Sequence, residues 1–224
     1  TFRTYFTKVV KKEKSFEMNR VIVQVRPFGD AVYKSKYFPW SKYISGKQGR
    51  SPGYDPLKIM VDVAHKNGMK IEAWVNPYRV TIGSTNYSKL SKNNPARKWH
   101  AKKSTSRNVL AYNGSLYYNP SKKDVRNLII NGAKEIVKNY KVDGIHMDDY
   151  FYPEFTSKNV KTAFDAKEYN KSSYKKNKKS IYTYRRAQVS TLVMDMKAAI
   201  KKINSKVTYG ISPAGNICLL YTSP

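Results

Sequence analysis

The stretch of sequence that decides the fold is residues 142–153, VDGIHMDDYFYP. A lysine-rich helical pattern runs into this short apolar strand, and two adjacent carboxylates, Asp148 and Asp149, end it. A loop rich in aromatic rings follows and is closed by Pro153. In (β/α)8 barrels the functional side chains lie at the carboxyl ends of the strands, where the sheet holds them rigidly. The stretch therefore predicts one βα unit of a barrel with acidic residues at its mouth.

Three further apolar segments predict strands, and a helical pattern precedes every strand. The predicted strands are 21–25, 69–75, 142–147 and 207–211, and the predicted helices are 2–16, 56–67, 122–140 and 185–203. Asp55 and Ser121 are the predicted N-caps of the second and third helices, and Gly68 is the predicted stop of the second. Helices that regularly separate short strands favour a parallel sheet with right-handed crossovers.

The lengths of the loops distinguish a TIM barrel from a doubly wound parallel sheet. The short loops all precede strands and the long loops all follow them, which is typical of a TIM barrel. A doubly wound sheet also alternates helices and strands, but none of these strands leads into a glycine-rich phosphate turn. The predicted fold is therefore α/β, a partial (β/α)8 TIM barrel with about four βα units and long βα loops. The lysine-rich segment 171–179 predicts a solvated surface within an insertion in the third of these loops.

Four strands make half a barrel, so we expect the chain to be part of a longer protein. Half a barrel leaves open sheet edges, and such an isolated piece is expected to fold poorly. The predicted domain covers residues 1–217. Residues 218–224, CLLYTSP, resemble a translated sequencing-adapter sequence and predict a non-native tail, with a short native strand as the alternative.

The chain is strongly basic, with 43 Lys and Arg against 15 Asp and Glu among 224 residues and a formal net charge of +28. Such a charge favours a polyanionic partner through long-range attraction. Anionic cell-wall polymers are one class of partner that would suit this charge. The alternative explanation for the lysine content is an AT-rich genome that encodes lysine at solvated positions. The basic residues are spread along the whole chain without a nucleic-acid module signature, so we predict no nucleic-acid partner.

The sequence contains no pattern that indicates a disulfide, a metal site or a membrane-spanning helix. The one cysteine, Cys218, excludes an intramolecular disulfide and a cysteine-based metal site. The three histidines, His65, His100 and His146, are too scattered for a metal triad. No apolar run approaches the ~18 residues of a spanning helix. We therefore predict no metal, no cofactor and no transmembrane segment.

Four motifs together resemble the bacterial glycosyl hydrolase-like 10 family. They are VQVRPFGDA at 23–31, EAWVNPYR at 72–79, GIHMDDYFYP at 144–153 and GISP at 210–213. The resemblance implies a TIM-barrel glycosidase that is secreted or associated with the cell envelope, and some family members act on peptidoglycan glycan strands. Glu72 departs from the pattern, since the resemblance predicts histidine there, so the resemblance implies no role for position 72.

The carboxylates after the third strand are the candidate catalytic residues. Strand side chains alternate, so His146 and Asp148 share one face while Ile145 and Met147 face the helices. The strand resembles the fourth strand of alpha-amylase-type barrels, which implies that Asp148 is the nucleophile or stabilises an oxocarbenium ion. The same resemblance implies that His146 orients Asp148 or binds a hydroxyl. Asp149 either turns toward the rim as a further catalytic residue or caps the next loop.

Polar and aromatic residues near the other strand ends are candidates for sugar binding. They are Arg26, Asp30, Trp74, Asn76, Tyr78, Arg79, Tyr150 and Tyr152. Arginine and asparagine at strand ends can hold sugar hydroxyls or stabilise the barrel mouth, and Tyr rings can stack on the apolar faces of sugars. Trp74 fits core packing as well as a sugar platform.

Glycoside hydrolysis generally needs two carboxyl groups, and the second is not evident. Asp30, Glu72 and Glu154 are candidates, while the amylase resemblance places it after the next strand, beyond Ile211. The sequence thus predicts a glycoside hydrolase that cleaves O-glycosidic bonds in a peptidoglycan-type or related cell-wall polysaccharide. The alternative is a non-catalytic carbohydrate- or wall-binding protein on the same scaffold.

Overall fold

The computed structural model describes residues 1–213, and the predicted tail lies outside the described residues. The strands are β1 (Arg20–Arg26), β2 (Lys70–Val75), β3 (Val109–Tyr112), β4 (Ser115–Tyr118), β5 (Gly144–Met147) and β6 (Thr208–Ile211). The α-helices are α1 (Phe2–Ser15), α2 (Lys42–Ser45), α3 (Pro56–Lys66), α4 (Pro95–His100), α5 (Lys123–Asn139), α6 (Ala166–Asn170), α7 (Ser173–Lys176) and α8 (Ile181–Ile203). Short 3-10 turns occupy Tyr87–Lys89 and Ser106–Asn108.

The main sheet is parallel and confirms the predicted fold class. Within the described residues it has four strands in the order β1-β2-β5-β6, which is also their order along the chain. A helix of the outer layer lies between each strand and the next. The four strands do not close into a barrel within residues 1–213, and Ile22 on the inner face of β1 is 47% exposed as a result. This explains why the predicted buried strand at 21–25 is only partly buried.

Local capping chemistry explains where most of the outer helices begin and end. Asp55 caps α3 as predicted, since its side chain accepts a hydrogen bond from the Lys58 amide, and Gly68 takes the left-handed conformation beyond the helix at φ +67°. The predicted cap of α5 is wrong, because Ser121 donates to Asp165 and α5 begins at Lys123. Helix α8 begins four residues earlier than predicted because Ser180 caps it.

The core lies between the sheet and the outer helices. Ile145 and Met147 are fully buried on the helix side of β5, as the strand alternation predicts. They belong to one apolar cluster with Ile136 of α5 and Met196 of α8. Burying each such side chain contributes roughly 1.5–3 kcal/mol, so this layer fixes the position of β5. Among residues 1–213, none of the helices is both apolar enough and long enough to cross a bilayer.

Two of the long loops carry structure that the sequence patterns did not indicate. The loop after β2 contains the antiparallel β3–β4 hairpin, which lies over the carboxyl end of the sheet through a bridge between Arg79 and Tyr117. The loop after β5, residues 148–180, forms a folded insertion with α6 and α7. Buried Asp165 of the insertion pairs with buried Arg185 of α8, so the base of the insertion is packed, whereas the lysine-rich segment 171–179 is mostly exposed, as predicted.

Candidate active site

The inner face of the sheet is polar, and strand alternation determines which side chains lie on it. Glu72 lies opposite Gly144 in register, and Trp74 lies opposite His146. Asn76 and Asp148 follow at the carboxyl ends of β2 and β5 on the same face. The face therefore runs from a carboxylate deep in the sheet to a second carboxylate at its mouth.

Asp148 is held by a chain of amides that crosses three strands. Asn76 Nδ2 donates to Asp148 Oδ2 over 2.6 Å, and Gln24 Nε2 donates to Asn76 Oδ1 over 2.6 Å. Because Asn76 Oδ1 must accept from Gln24, its Nδ2 is left to face the carboxylate. The Tyr150 amide donates to Asp148 Oδ1 over 3.1 Å. One oxygen of Asp148 is thus oriented by the neighbouring strand and the other by the backbone of its own loop.

His146 lies two residues before Asp148 and is oriented by Glu72 and Ser212. Its Nδ1 lies 3.3 Å from Glu72 Oε2 and its Nε2 lies 2.9 Å from Ser212 Oγ. Burial lowers the pKa of His146, and the charge of Asp148 opposes that shift only in part. The ring is hydrogen-bonded to Ser212 through Nε2, and its Nδ1 edge faces the Glu72 carboxylate. The approach of Glu72 to the ring is therefore a close polar contact with a neutral imidazole and not a charged ion pair.

The Glu72 carboxylate contacts three side chains deep in the sheet. It forms an ion pair with Arg20 and accepts a hydrogen bond from Thr208 Oγ1 over 3.0 Å, in addition to its contact with His146. A Cβ built at Gly144 would lie 2.8 Å from Glu72 atoms, so only glycine leaves room for this carboxylate. These contacts place Glu72 in the supporting network beneath the mouth.

The structure brings Arg79 and Tyr150 together at the mouth. The Arg79 guanidinium lies 3.9 Å from the centroid of the Tyr150 ring, in a cation–π contact. Both side chains are solvent-accessible, so the pair can meet a ligand. Tyr152 has a different environment, since its hydroxyl donates to buried Asp165 over 2.8 Å and anchors the loop.

Four predicted sugar-binding residues are buried in this structure: Arg26, Asp30, Asn76 and Tyr78. Arg26 is 1% exposed and lies 4.5 Å from the centroid of the Phe38 ring. Burial lowers the pKa of Arg26, and the nearby groups Tyr33, Tyr118 and Asp30 oppose the shift. Tyr78 is also 1% exposed, so its ring has no free face for a sugar, contrary to the expectation for a loop tyrosine.

Asp30 is 2% exposed and is held by a polar network of the loops. Gln48 Nε2 donates to Asp30 Oδ2 over 2.9 Å, while Gln48 Oε1 accepts from the Ser91 amide over 2.8 Å. Burial raises the pKa of Asp30 despite these hydrogen bonds. Asp30 borders a small cleft of about 120 Å³ with Phe28 and Tyr43, whose rings stack at 5.8 Å. It therefore lies at the loop face but outside the network of Asp148.

Asp149 and Trp74 complete the predicted set. Asp149 is exposed, and its side chain forms no hydrogen bond or ion pair within residues 1–213. The Phe151 amide donates over 2.9 Å to its backbone carbonyl, and none of the amides within residues 1–213 donates to its carboxylate, so the side chain does not cap the loop. Trp74 is half-buried on the inner face between Gln24 and His146 in register. In the described part of the chain, no group of three or more acidic, His or Cys residues could hold a metal.

Sequence reasoning missed two residues that orient the site, Gln24 and Ser212. Gln24 lies two residues before Arg26 in β1, and Ser212 follows β6 in the GISP motif. The signal for both was the alternation of strand side chains, which places Gln24 and Ser212 on the same face as Asn76 and His146. Only the strand order shows which partner each one reaches.

Comparison with known proteins identifies the family. The family model described as glycosyl hydrolase-like 10 matches residues 3–223. The chain belongs to the glycosyl hydrolase-like 10 family. The matched range includes most of the segment predicted to be a non-native tail, and that prediction stays open.

Curated relatives of this family carry glycosyl hydrolase names. Glycosyl hydrolase YngK of Bacillus subtilis strain 168 is 39% identical over 214 residues, which cover 94% of this chain and 39% of YngK. Glycosyl hydrolase DigH of Escherichia coli K12 is 36% identical over 200 residues, which cover 88% of this chain and 44% of DigH. The chain therefore spans about two fifths of the length of these curated relatives.

Solved glycosidase structures share the fold of this glycosyl hydrolase-like 10 chain. Alpha-L-fucosidase isoenzyme 2 from Paenibacillus thiaminolyticus superposes with a TM-score of 0.60 at 13% identity, covering 96% of this chain and 29% of the fucosidase. The alpha-amylase of Geobacillus thermoleovorans superposes with a TM-score of 0.51 at 13% identity, covering 91% and 39%. These likenesses confirm a TIM-barrel type of α/β fold.

Proposed function

We propose that the protein is a glycoside hydrolase in which Asp148 acts directly on the anomeric centre. The observation that carries the proposal is the Gln24–Asn76–Asp148 chain of hydrogen bonds, which orients one carboxylate at the carboxyl ends of the strands. Functional residues of TIM barrels lie at this face. Family membership and the glycosidase-like fold agree with this assignment.

The geometry supports a role for Asp148 as nucleophile or as the group that stabilises an oxocarbenium ion. Asn76 fixes the rotation of the carboxylate, and the Tyr150 amide holds its second oxygen. An oriented carboxylate avoids the cost of reorganisation when positive charge develops on the sugar. The neutral ring of His146, held by Glu72 and Ser212, then serves as a positioning group or binds a sugar hydroxyl.

The mechanism needs a second carboxyl group as acid or base. Glu72 is bound by Arg20, Thr208 and His146, which makes it a poor candidate. Asp30 is buried outside the Asp148 network, while Asp149 is exposed and free of partners within residues 1–213. We propose that Asp149 assists at the rim and that the acid comes from a segment of the full-length protein beyond β6.

A bacterial cell-wall polysaccharide of the peptidoglycan type is the proposed substrate, and the cell envelope or exterior is the proposed location. The net charge of +28 supports this choice, since walls carry carboxylate and phosphate groups that attract a basic protein. Fractionation of cells that express the full-length protein checks the location. Recovery in the cytosol alone would contradict it.

The test of the catalytic proposal is Asp148→Asn in the full-length protein. Asparagine keeps the shape of the side chain but cannot attack or stabilise a cation, so release of reducing ends from glycan strands should fall by several orders of magnitude. Glu13→Gln on α1 is the matched control for removal of one carboxylate. If Asp148→Asn retains binding and turnover alike, Asp148 has no part in the mechanism. If the wild type binds glycans without cleaving them, the protein is a carbohydrate-binding member of the family.

A further inference from the structure

A large cleft in the insertion after β5 is lined by cations. It has a volume of about 690 Å³ and lies among α6, α7 and the start of α8. Five lysines line it: Lys161, Lys175, Lys176, Lys178 and Lys179. No Asp or Glu lines the cleft, and its volume falls in the range of ordinary ligand sites.

The acidic residues that could neutralise these lysines are engaged elsewhere. Asp165 is fully buried and accepts from Arg185 Nε over 2.8 Å and from the Tyr152 hydroxyl over 2.8 Å. Glu168 accepts from Arg107 Nε over 2.7 Å and lies 3.3 Å from Lys122 Nζ. None of the five cleft lysines forms an ion pair with another residue in the range 1–213. Asp165 and Glu168, the acids next to the cleft in sequence, are thus paired with other residues, and the cleft lysines are left without counter-charges within residues 1–213.

Two tyrosines give the cleft an aromatic wall. Tyr169 and Tyr182 line it, and Lys175 Nζ lies 5.8 Å from the centroid of the Tyr169 ring. The Tyr169 hydroxyl donates to the Lys179 carbonyl over 2.7 Å, which fixes the ring. Aromatic faces pack on the apolar faces of sugars, and ammonium groups attract carboxylates. The combination suits a sugar that carries an acidic group.

Hydrogen bonds to buried Asp165 connect the part of the insertion that forms the cleft to the loop that carries Asp148. Tyr152 follows Asp148 by four residues, and its hydroxyl reaches Asp165 at the base of the insertion. Arg185 of α8 clamps the same carboxylate and also donates to the Val160 carbonyl over 2.9 Å. The cleft and Asp148 therefore belong to one connected segment on the loop face of the sheet.

We propose that this lysine and tyrosine cleft binds carboxylate-bearing sugars of an acidic polysaccharide. The idea that the cleft holds a polysaccharide chain for cleavage near Asp148 rests on the proposed function. Binding of the sugar by the cleft does not. The five lysines supply attraction, and Tyr182, the more exposed of the two tyrosines, supplies the preference for sugar. A cleft selected only for net charge would bind any polyanion equally well.

The test measures binding of a labelled oligogalacturonate to the full-length protein at about 0.1 M salt, where screening acts over ~10 Å. The triple variant Lys175→Gln, Lys176→Gln, Lys179→Gln should weaken binding about tenfold. The control variant Lys8→Gln, Lys11→Gln, Lys12→Gln removes the same charge from exposed positions of α1 and should weaken it less than about twofold. The fully methyl-esterified oligomer, with the same backbone but no carboxylates, should bind the wild type about tenfold more weakly.

Several results would overturn the proposal. They are equal loss in the two triple variants, equal binding of the methyl ester, and no binding of oligogalacturonate at millimolar concentration. A single-stranded oligonucleotide of equal charge that binds as tightly would show that the cleft recognises charge and not sugar. The binding readout does not depend on turnover, so a protein that binds but does not cleave would refute the proposed function while this inference stands.

Discussion

Asn76 and Asp148 lie 72 residues apart in the chain, yet the Asn76 amide nitrogen is 2.6 Å from the Asp148 carboxylate at the carboxyl edge of the sheet. Their strands, β2 and β5, are adjacent and parallel, so their ends meet. Gln24 on β1 completes the chain from the other side of Asn76. Residues from two neighbouring strands, β1 and β2, thus orient the carboxylate that follows the third strand, β5.

Asn76→Ala is expected to lower turnover by about ten- to a hundredfold. A hydrogen bond to a charged group is worth about 1.5–3 kcal/mol, and each 1.36 kcal/mol changes a rate about tenfold. Gln24→Ala acts only through Asn76, and its loss of turnover should be smaller. Steady-state kinetics of the full-length protein checks both. Equal losses, or a change in KM alone, would contradict an orienting role for Asn76.

The stability of the fold should depend on the protonation of His146. Burial holds the pKa of folded His146 below the ordinary value of 6.5. As the pH falls through 6.5, the ring therefore becomes protonated in the unfolded chain while it is still neutral in the folded protein. The free energy of unfolding should therefore decrease on acidification through 6.5, until the folded ring is protonated too. Urea unfolding between pH 5 and 8 measures this, and His146→Asn should show a shallower slope. Identical slopes would refute the assignment of a depressed pKa.

Parts of the site could be predicted because they depend on local rules. Alternation along β5 placed His146 and Asp148 on the inner face, and the cap at Asp55 located the start of α3. The burial of Tyr78 could not be predicted, since it depends on packing against Phe151, far along the chain. The folded insertion was missed for a similar reason, because the pairing of its acids with distant arginines leaves no local pattern.

Glu72→Ala should lower the free energy of unfolding by about 1.5–3 kcal/mol, as expected for loss of hydrogen bonds to a buried charged group. Arg20, Thr208 and His146 would lose their shared partner on the inner face. Glu154→Ala, at an exposed loop position, is the control and should stay within about 0.5 kcal/mol. Denaturant titration distinguishes the two. A stable Glu72→Ala variant with abolished turnover would instead make Glu72 the second catalytic carboxyl.

Asp30→Asn should leave both turnover and the stability of the loops nearly unchanged. Gln48 Nε2 would keep an acceptor in the new amide, and the orientation of Asp148 does not depend on Asp30. Since burial raises the pKa of Asp30, its charged form is costly in the fold, and removing the charge should leave stability unchanged or slightly higher above pH 5. Thermal unfolding checks this. A large loss of turnover with an unchanged melt would make Asp30 part of the catalytic site.

The net charge of +28 gives the last prediction, which concerns salt. If lysines retain the protein on an anionic wall, binding to purified walls should weaken steeply as salt rises, because attraction between exposed charges is screened over ~10 Å at 0.1 M. Hydrolysis of short neutral glycans should change much less, since the contacts around Asp148 act at hydrogen-bond range. Sedimentation with walls and reducing-end release, each measured across one salt series, separate the two effects. Parallel losses would place the lysines at the catalytic centre, and salt-independent binding would leave the charge without a role in retention.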